Sequence, residues 1–480
     1  MTLPRFATGP VAVVAAAQAA VLAALAGRYG FHRDELYFLA AGKRLDWGYV
    51  DQPPLTPLLA RLATAVFGET PAGLRVVPLL LGAATVFVVA LVARELGGGR
   101  GAQVLAAAAA AGSSLPLVTA HMLATNSLDT LLWVSLGLVT LRLLRTGEPR
   151  WWLAAGAVAG VGLANKWLIA LLVLALGAAL LAVGPRSVLR TWWLAAGVAL
   201  ALAVATPTLV WQVANDVPLL TVASGIAADD GTENRILFVP MQLVYLSAVL
   251  VPVWLAGIRR LWREPDLRWA RALAVAYPVL CAVLLVVGGK PYYPIPLLLV
   301  LTAAGAEPAL RWLRDNTAFG WGLAGIGLAM NLVVSLPVLP PAALAPVVAM
   351  NAEQGEQVGW PEFTETVADA WRSDGDRAVI LTANYGQAGA IEHYGPEHGL
   401  PQPFSAHMSY WDWGPPPDDA TGPVLLVGVT PTDAFRDCVQ VAEHDNGLGV
   451  DNDEQGTRVL RCAGTTAPWS RLWPDLRHFY

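Results

Sequence analysis

Residues that could do chemistry stand at breaks between the long apolar segments of this chain. They are two neighbouring acids, one further acid and two lysines: Asp34, Glu35, Asp129, Lys166 and Lys290. Charged groups beside hydrocarbon are costly unless they are paired or solvated, and they mark candidate functional sites in membrane proteins. Such a set could bind an anionic head group through the lysines while a carboxylate removes a proton nearby.

The carboxylates also have a purely structural interpretation. A helix that begins here projects Asp34 and Glu35 about 100° apart, so only one of them can face a given ligand. Acids in a first helical turn are stabilised by the helix dipole. The same explanation applies to Asp129, because Asn126 or Ser127 could cap the helix that contains it. Both interpretations stay open at this stage.

The lysines are harder to explain structurally. Lys166 lies between two apolar runs, and an unpaired lysine near the centre of a membrane helix costs about 2.5–3.5 kcal/mol. Snorkelling of its side chain to the interface is the alternative. Lys290 precedes Pro291, Tyr292 and Tyr293, which could form either a site or an interfacial aromatic belt.

The composition indicates the elements that must position these groups. Of the 480 residues, 55% are hydrophobic and 14% are charged, whereas about a quarter are charged in an average soluble protein. This excludes one ordinary water-soluble core and favours a polytopic membrane protein. The net charge of −5, with no tract rich in lysine and arginine, argues against a nucleic-acid partner.

Apolar runs between charged or turn-rich breaks predict about eleven membrane spans. Their approximate limits are 10–27, 73–93, 102–118, 127–144, 151–165, 167–184, 191–211, 236–258, 270–288, 292–306 and 318–340. With the N-terminus in the cytoplasm, fifteen arginines fall in short inner segments and nine basic residues fall outside. The positive-inside rule therefore predicts a cytoplasmic N-terminus and an extracytoplasmic C-terminal tail, in a cell (plasma) membrane protein.

Three polar regions interrupt this pattern. The first outer loop, 28–72, contains amphipathic helical pieces at 34–44 and 55–67, and 212–235 is predicted to be an acidic loop. We predict a transmembrane catalytic domain at 1–344 and a soluble extracytoplasmic α/β domain at 345–480. The α/β signals of the tail are a helix at 361–372 and strands near 378–382, 423–429, 438–443 and 457–462.

Cysteines and common motifs restrict the chemistry further. Three cysteines exclude a dense disulfide scaffold and a four-cysteine zinc site. Cys438 and Cys462 could lie on neighbouring strands and pair, whereas Cys281 lies in a span. The sequence has no Walker loop, GxSxG, HExxH or CxxC array, so nucleotide hydrolysis and zinc proteolysis lack support. No cofactor is required by the sequence, and a divalent metal is possible but unsupported.

Several motifs, in this order, resemble one enzyme family. The Asp34-Glu35 pair and the later Asp51-Gln52-Pro53-Pro54-Leu55 turn are similar to those of membrane glycosyltransferases of the protein mannosyltransferase and aminoarabinose transferase superfamily. These are GT-C fold enzymes, of glycosyltransferase family 39 and its bacterial relatives. Further similar motifs are Asn126-Ser127-Leu128-Asp129, Ala164-Asn165-Lys166, Lys290-Pro291-Tyr292-Tyr293-Pro294 and, in the tail, Asn384-Tyr385-Gly386-Gln387-Ala388-Gly389-Ala390.

The resemblance implies a mainly α, GT-C membrane enzyme that transfers a sugar from a polyprenyl-phosphate donor to an acceptor hydroxyl on the outer face, usually with inversion. Asp34 would be the base. The acceptor would be a glycan, a glycolipid or a protein, and the bilayer itself is a further partner.

The resemblance also assigns roles to the remaining motif residues. Glu35 and Asp129 would position the acceptor or the sugar. The proposed substrate contacts are Lys166, Lys290, Tyr292, Tyr293, Asp51, Gln52 and Pro53, of which the lysines would neutralise the lipid phosphate. Relatives often have histidine where this chain has Gln52, so a metal or acid role at that position is in doubt.

A polytopic transporter or lipid flippase is the alternative function. It would share the spans and a few buried charges, but it usually shows internal repeats and helices broken at the middle of the membrane. The polar residues of this chain concentrate in outer loops and at span ends, which favours a surface active site. A non-catalytic anchor for the tail is a weaker third possibility.

Overall fold

A computed structural model of the chain describes residues 3–373, 375 and 377–479, most of which are helical. Seven of the described helices are long and apolar enough to cross a membrane. These are Thr8–Leu25, Pro71–Glu95, Thr125–Thr146, Trp192–Ala214, Pro265–Val287, Ile295–Asp315 and Thr317–Ser335. Two pairs qualify only when each is taken as one span: Arg100–Gly112 with Ser114–His121, and Gly231–Val244 with Ala248–Arg263.

Each of the eleven predicted spans overlaps a helix, but two of these helices are short. Trp151–Leu163 has 13 residues and Ile169–Val183 has 15. At 1.5 Å per residue they reach about 20 Å, less than the roughly 30 Å of a bilayer core. Length and composition alone therefore support seven to nine spans, and the number eleven stays a prediction.

The two bent pairs support each other at their breaks. The pair at Gly112–Ser114 bends by 63°, and the pair at Val244–Ala248 bends by 73°. The amides of Ser114 and Leu115 donate to the carbonyls of Leu246 and Tyr245, over 2.8 and 2.9 Å. Backbone groups freed by a bend need partners at membrane depth, and here each break supplies them to the other.

The region 212–235 corrects a prediction. It was expected to be a loop, but it contains the helix Pro218–Asp229 and the start of Gly231–Val244. The acids that suggested a loop lie at the junction of these helices, where Asp230 approaches Lys290. In the first outer loop, the helices Arg33–Lys43 and Leu55–Phe67 match the predicted pieces. We call Arg33–Lys43 the outer helix.

The tail contains the predicted α/β elements. Its described α-helices are Ala345–Val348, Trp360–Ser373, Tyr385–Tyr394, Ser409–Asp412 and Trp469–Leu476. A five-stranded sheet has the order Phe404–Ser405, Val379–Thr382, Val424–Val427, Arg458–Cys462 and Val439–Glu443. Its first three strands are parallel and the others are antiparallel, while Phe435–Arg436 pairs separately with Gly464–Thr465. A disulfide joins Cys438 to Cys462 across the last pair of the main sheet.

The outer loop and the tail share one hydrophobic core. Phe31 and Leu36 from the loop are buried together with Trp360, Phe363 and Ile391 from the tail. We call the helix Tyr385–Tyr394 the tail helix, because it packs directly against the outer helix. The domain division at 344/345 stays a prediction, and this shared core crosses it.

Candidate functional site

The outer helix begins with a cap that orients both acids of its first turn. The His32 ring accepts a hydrogen bond from the Asp34 amide through Nδ1, over 3.1 Å. The Glu35 carboxylate returns the contact by accepting from the His32 amide, over 3.0 Å. This reciprocal arrangement is a capping box, and it fixes Asp34 and Glu35 on different sides of the helix.

Glu35 is completely buried, and both of its carboxylate oxygens accept hydrogen bonds from protein donors. The Arg75 guanidinium donates to it through Nε (3.1 Å) and Nη2 (2.7 Å), and the Leu123 amide donates over 3.0 Å. Arg75 is itself 1% exposed. Because protein donors fill both oxygens of Glu35, we infer a structural role for it in place of the substrate-positioning role implied by the resemblance.

Asp34 faces the other way and is partly exposed. Its Oδ1 accepts a hydrogen bond from the hydroxyl of Tyr385, over 2.8 Å, and Tyr385 is the first residue of the tail helix. Two glycines allow this approach. A Cβ atom at Gly389 would lie 2.9 Å from the Leu36 Cβ, and one at Gly386 would lie 3.0 Å from the Arg33 Cβ. The glycines of the tail motif thus bring Tyr385 to Asp34.

Asp51 contacts one of a pair of stacked tyrosines, and the other tyrosine donates to Asp34. Its Oδ1 accepts from the Tyr37 hydroxyl, over 2.7 Å, and Tyr37 stacks on Tyr385 with ring centres 4.6 Å apart. Burial raises the pKa of Asp51 to about 6; the Tyr37 hydrogen bond lowers it and the charge of Asp34 raises it. A carboxyl with such a pKa can accept or release a proton near neutral pH.

Gln52 and Pro53 form a buried turn against the membrane helices. Gln52 is 2% exposed, and neither its amide oxygen nor its amide nitrogen has a partner among the described residues. The turn is held in place just afterwards, where the Thr56 hydroxyl donates to Asn165 Oδ1 over 3.0 Å. This contact joins the helix that follows the Gln52-Pro53 turn to Asn165, which precedes Lys166 in the chain.

Lys166 is surrounded by polar and aromatic groups. Its ammonium donates to the side-chain oxygen of Asn126. It also lies 5.7 Å from the ring centre of Tyr292 and 5.2 Å from that of Tyr293. A cation over aromatic faces is partly compensated without losing its charge, so it can still attract an anion.

Asp129 is 4% exposed and accepts a hydrogen bond from Trp133 Nε1, over 3.0 Å. It lines a small cavity together with Tyr292 and Tyr293. Its charge also acts on Lys166. Asp129 therefore lies close to Lys166 and to the two tyrosines.

Lys290 is a partly exposed cation near Lys166. It is 33% exposed and forms an ion pair with Asp230 across 3.4 Å. Its positive charge also acts on Lys166 and on Glu353, which precedes the tail sheet. Glu353 Oε2 lies 2.8 Å from His32 Nε2.

Glu353 has a low pKa for an identifiable reason. Burial raises its pKa, but the hydrogen bond from His32 and the charges of His32, Arg33 and Lys290 outweigh burial and lower the pKa to about 2. Burial lowers the pKa of His32, but the contact with Glu353 and the charge of Asp34 outweigh it, so that pKa is raised overall.

Asp34, Lys166 and Lys290 come from segments where the ends of the membrane helices meet the tail, and we infer a substrate cleft among them. The charge of Asp34 acts on Lys166 and on Tyr292, so the acid lies within electrostatic reach of one of the predicted cations. In the described part of the chain, no group of three or more His, Cys, Asp or Glu side chains could hold a metal ion. The arrangement can bind an anion through lysines and accept a proton at a carboxylate.

Nothing in the sequence indicated a role for Glu353 or Tyr37, and the sequence did not connect Tyr385 with Asp34. The tail motif around Tyr385 was recognised as similar to the family, but nothing in it pointed to Asp34. Glu353 carries no sequence signal, because its role depends on a contact with His32 across 321 residues.

The chain is similar to known proteins in one stretch of sequence and in its overall fold. The family model for dolichyl-phosphate-mannose-protein mannosyltransferase matches residues 51–211. The structure of ArnT from Cupriavidus metallidurans bound to undecaprenyl phosphate is similar with a TM-score of 0.63, 16% identity, and coverage of 94% of this chain and 97% of that one. Its apo state gives 0.61 with the same identity and coverage.

A third similar structure is the arabinofuranosyltransferase AftD from Mycobacteria, with a TM-score of 0.51 and 13% identity over 95% of this chain and 40% of that one. No curated protein sequence matches the chain. The family model and the fold together confirm the predicted resemblance, the predicted fold class and a multi-pass membrane protein.

Proposed function

We propose that this chain, a membrane glycosyltransferase with the GT-C fold, transfers a sugar from a polyprenyl-phosphate donor to an acceptor hydroxyl. The observation that carries the proposal is the set of charges where the membrane helices meet the tail, in which Asp34 and Lys290 both lie within electrostatic reach of Lys166. The ArnT structure bound to undecaprenyl phosphate supports a donor of this chemical class.

The proposed step is a single displacement. The acceptor oxygen attacks the anomeric carbon of the donor while the bond from that carbon to the phosphate oxygen breaks. Asp34 takes the hydroxyl proton, and the leaving lipid phosphate keeps the electron pair of the broken bond. A single attack from the opposite side inverts the anomeric configuration.

The lysines stabilise the charge that develops on the leaving phosphate. Lysine suits this task because its ammonium is a compact point charge. Lys166 is held by Asn126 and the two tyrosines, whereas Lys290 is shared with Asp230 at the cleft entrance. We therefore expect Lys166 to contribute more to catalysis than Lys290.

The remaining predicted contacts receive more limited roles. Asp129 would orient Lys166 from behind and help to position the sugar. Asp51 and Gln52, with Pro53 holding their turn, would contact the acceptor or the sugar. Gln52 suits this because its amide atoms have no partner among the described residues, and a substrate hydroxyl could supply one.

The proposed topology follows from the charge distribution. Fifteen arginines in inner segments, against nine basic residues outside, support a cytoplasmic N-terminus and an extracytoplasmic tail. The cleft would then open at the outer face of the plasma membrane. We propose residues 1–344 as the catalytic membrane domain and 345–480 as a domain that closes the cleft from outside.

The test is transfer by the purified full-length protein in detergent. It would be given synthetic polyprenyl-phosphate sugars, with release of polyprenyl phosphate measured by mass spectrometry. Loss of a general base typically reduces the rate by about 10²–10⁴-fold, so Asp34→Asn should fall in that range. Asp369→Asn is the matched control, because Asp369 is an exposed carboxylate on a tail helix, where it pairs with Arg372.

Two results would contradict the proposal. One is full activity of a folded Asp34→Asn protein, which would remove Asp34 as the base. The other is a wild-type protein that cleaves none of the lipid-linked sugars. Movement of a labelled lipid across vesicles without release of phosphate would instead favour the flippase alternative.

A further inference from the structure

We propose that Tyr385 of the tail is the positioning residue for Asp34, so that the tail completes the active site of the membrane domain. This inference rests on the proposed function, because it assigns a partner to the proposed base. Tyr385 acts through Asp34, and no contact of Tyr385 with substrate is required.

The geometry of Tyr385 leaves its hydroxyl little freedom. Its ring stacks on Tyr37, with centres 4.6 Å apart, and on His407, with centres 5.1 Å apart and planes at 7°. Its amide also donates to His407 Nδ1, over 3.3 Å. A ring held between two others can point its hydroxyl in few directions, and the hydroxyl meets Asp34 Oδ1 at 2.8 Å.

The tail holds the start of the tail helix rigidly. Asn384 caps that helix by accepting from the Gln387 amide, over 2.9 Å. The buried carboxylate of Glu454 then accepts from Asn384 Nδ2 (3.1 Å) and from Gln387 Nε2 (2.6 Å). Tyr385 lies between these two anchored residues, so contacts within the tail fix its backbone independently of the contact with Asp34.

The protonation state determines the direction of this hydrogen bond. Burial raises the pKa of Tyr385 well above its usual value, and the charge of Asp34 raises it further. The phenol is therefore protonated at neutral pH and donates to the carboxylate. Such a bond to a charged group is strong and fixes Oδ1, and we assign the acceptor proton to Oδ2.

Other charges act on Asp34 from every side of the cleft. The charged and titratable groups that face it are His32, Arg33, Asp51, Lys166, Tyr292 and Tyr385. A change at Tyr385 that removes only the hydroxyl leaves all the others in place, so it isolates one contribution.

The experiment compares the pH dependence of transfer by wild type and Tyr385→Phe. Removal of a hydrogen bond to a charged group should lower kcat/KM about tenfold. It should also move the acidic limb of the pH profile to higher pH by about one unit, because the ionised carboxylate loses a donor. Little change in KM is expected, since Tyr385 acts through Asp34.

The matched control is Tyr410→Phe. Tyr410 is also buried in the tail and its ring also stacks on Tyr37, but its hydroxyl donates to Glu392, over 3.3 Å, and not to Asp34. Tyr410→Phe should keep the wild-type profile. In an Asp34→Asn background, Tyr385→Phe should cause no further loss, because the two changes act on the same contact.

A second probe tests the hydroxyl without removing it. Incorporation of 3-fluorotyrosine at position 385 makes the phenol a stronger donor in nearly the same volume. The acidic limb should then move to lower pH, the opposite of the Tyr385→Phe shift. This probe decides the question if Tyr385→Phe does not fold.

The outcomes separate the two proposals. A wild-type protein without transfer activity contradicts the proposed function. An active wild type and an inactive Asp34→Asn, combined with an unshifted profile for both Tyr385 changes, contradict the positioning role alone. Opposite shifts from the two changes support it.

Discussion

Asp34 and Glu35 are adjacent in the outer helix, but they belong to two regions of the molecule that differ in how a carboxylate is paired. On the inner side, Glu35 and Arg75 neutralise each other, and both are almost completely buried. On the cleft side, Asp34 is bound at one oxygen by a neutral donor, Tyr385. Its predicted cationic partner, Lys166, is held by Asn126 instead.

The difference indicates that the two acids of the first turn have different roles: Glu35 stabilises the fold and Asp34 is available for chemistry. A buried carboxylate is tolerated only when its charge and lone pairs are satisfied, and a group so satisfied has no capacity left for a substrate. Among the described residues no ion pair joins Asp34 to Lys166 or Lys290, and we infer that a phosphate and an acceptor hydroxyl bind between them. If the two regions are separate in this way, a change in the buried region should affect stability and a change in the cleft should affect activity.

The largest effect is expected in the buried region. Arg75→Met should leave Glu35 as an uncompensated buried charge, which costs roughly 3–5 kcal/mol. The midpoint of thermal unfolding in detergent should fall by several degrees. Arg61→Met, at an exposed position of the outer loop, should not change it. An unchanged midpoint for Arg75→Met would mean that the ion pair does not hold the outer helix.

The second largest effect is expected when a lysine of the cleft is replaced, and it should lower activity rather than stability. Lys166→Gln keeps a donor for Asn126 but removes the charge, and we expect kcat/KM to fall about 100-fold, as when a preorganised transition-state donor is lost. Lys290→Gln should cost about tenfold, because Lys290 is more exposed and is paired with Asp230. Lys43→Gln is the control, since Lys43 pairs with Glu69 on the surface. Equal losses at all three lysines would contradict a specific site.

The cationic half of the cleft was accessible from the sequence because its groups interrupt apolar helices. Lys166 stands out among hydrophobic neighbours, and the Lys290-Pro-Tyr-Tyr motif lies at a span boundary. The helices themselves follow from apolar length, and each predicted span overlaps one. The tail strands were predicted for a similar reason, from runs of β-branched apolar residues.

The acidic half was only partly accessible, because its partners are remote in the chain. Asp34 and Tyr385 are 351 residues apart, and Glu35 and Arg75 are 40 apart. No periodicity marks such pairs. The sequence therefore identified both acids of the first turn but could not tell which one Arg75 would neutralise.

A smaller effect is expected where the tail helix meets the outer helix. In Gly389→Ala the new Cβ would lie 2.9 Å from the Leu36 Cβ and 3.0 Å from its backbone, so the helices must separate slightly. We expect about 1–3 kcal/mol of destabilisation from overpacking. Activity should fall as well, because Tyr385 moves away from Asp34. Gly422→Ala, with no atom within 4 Å of its added Cβ, is the control.

The smallest effect concerns pH and the contact between Glu353 and His32. The pKa of Glu353 is lowered from 4.5 to about 2, so its contribution to stability is present above pH 4.5 and is lost as the pH falls toward 2. The pKa of His32 is raised above 6.5, so its contribution is present below pH 6.5 and is lost as the pH rises through the raised pKa. Since Glu353 is half exposed, we expect less than about 1 kcal/mol.

The measurement is the difference in unfolding midpoint between wild type and Glu353→Gln across this range. It should be largest between pH 4.5 and 6.5 and should decline on either side. Glu365→Gln, at an exposed position of the tail, should give no such maximum. A flat difference for Glu353→Gln would mean that this ion pair does not join the outer helix to the tail. The glycine face of the tail helix and the shared hydrophobic core would then be what keeps Tyr385 beside Asp34.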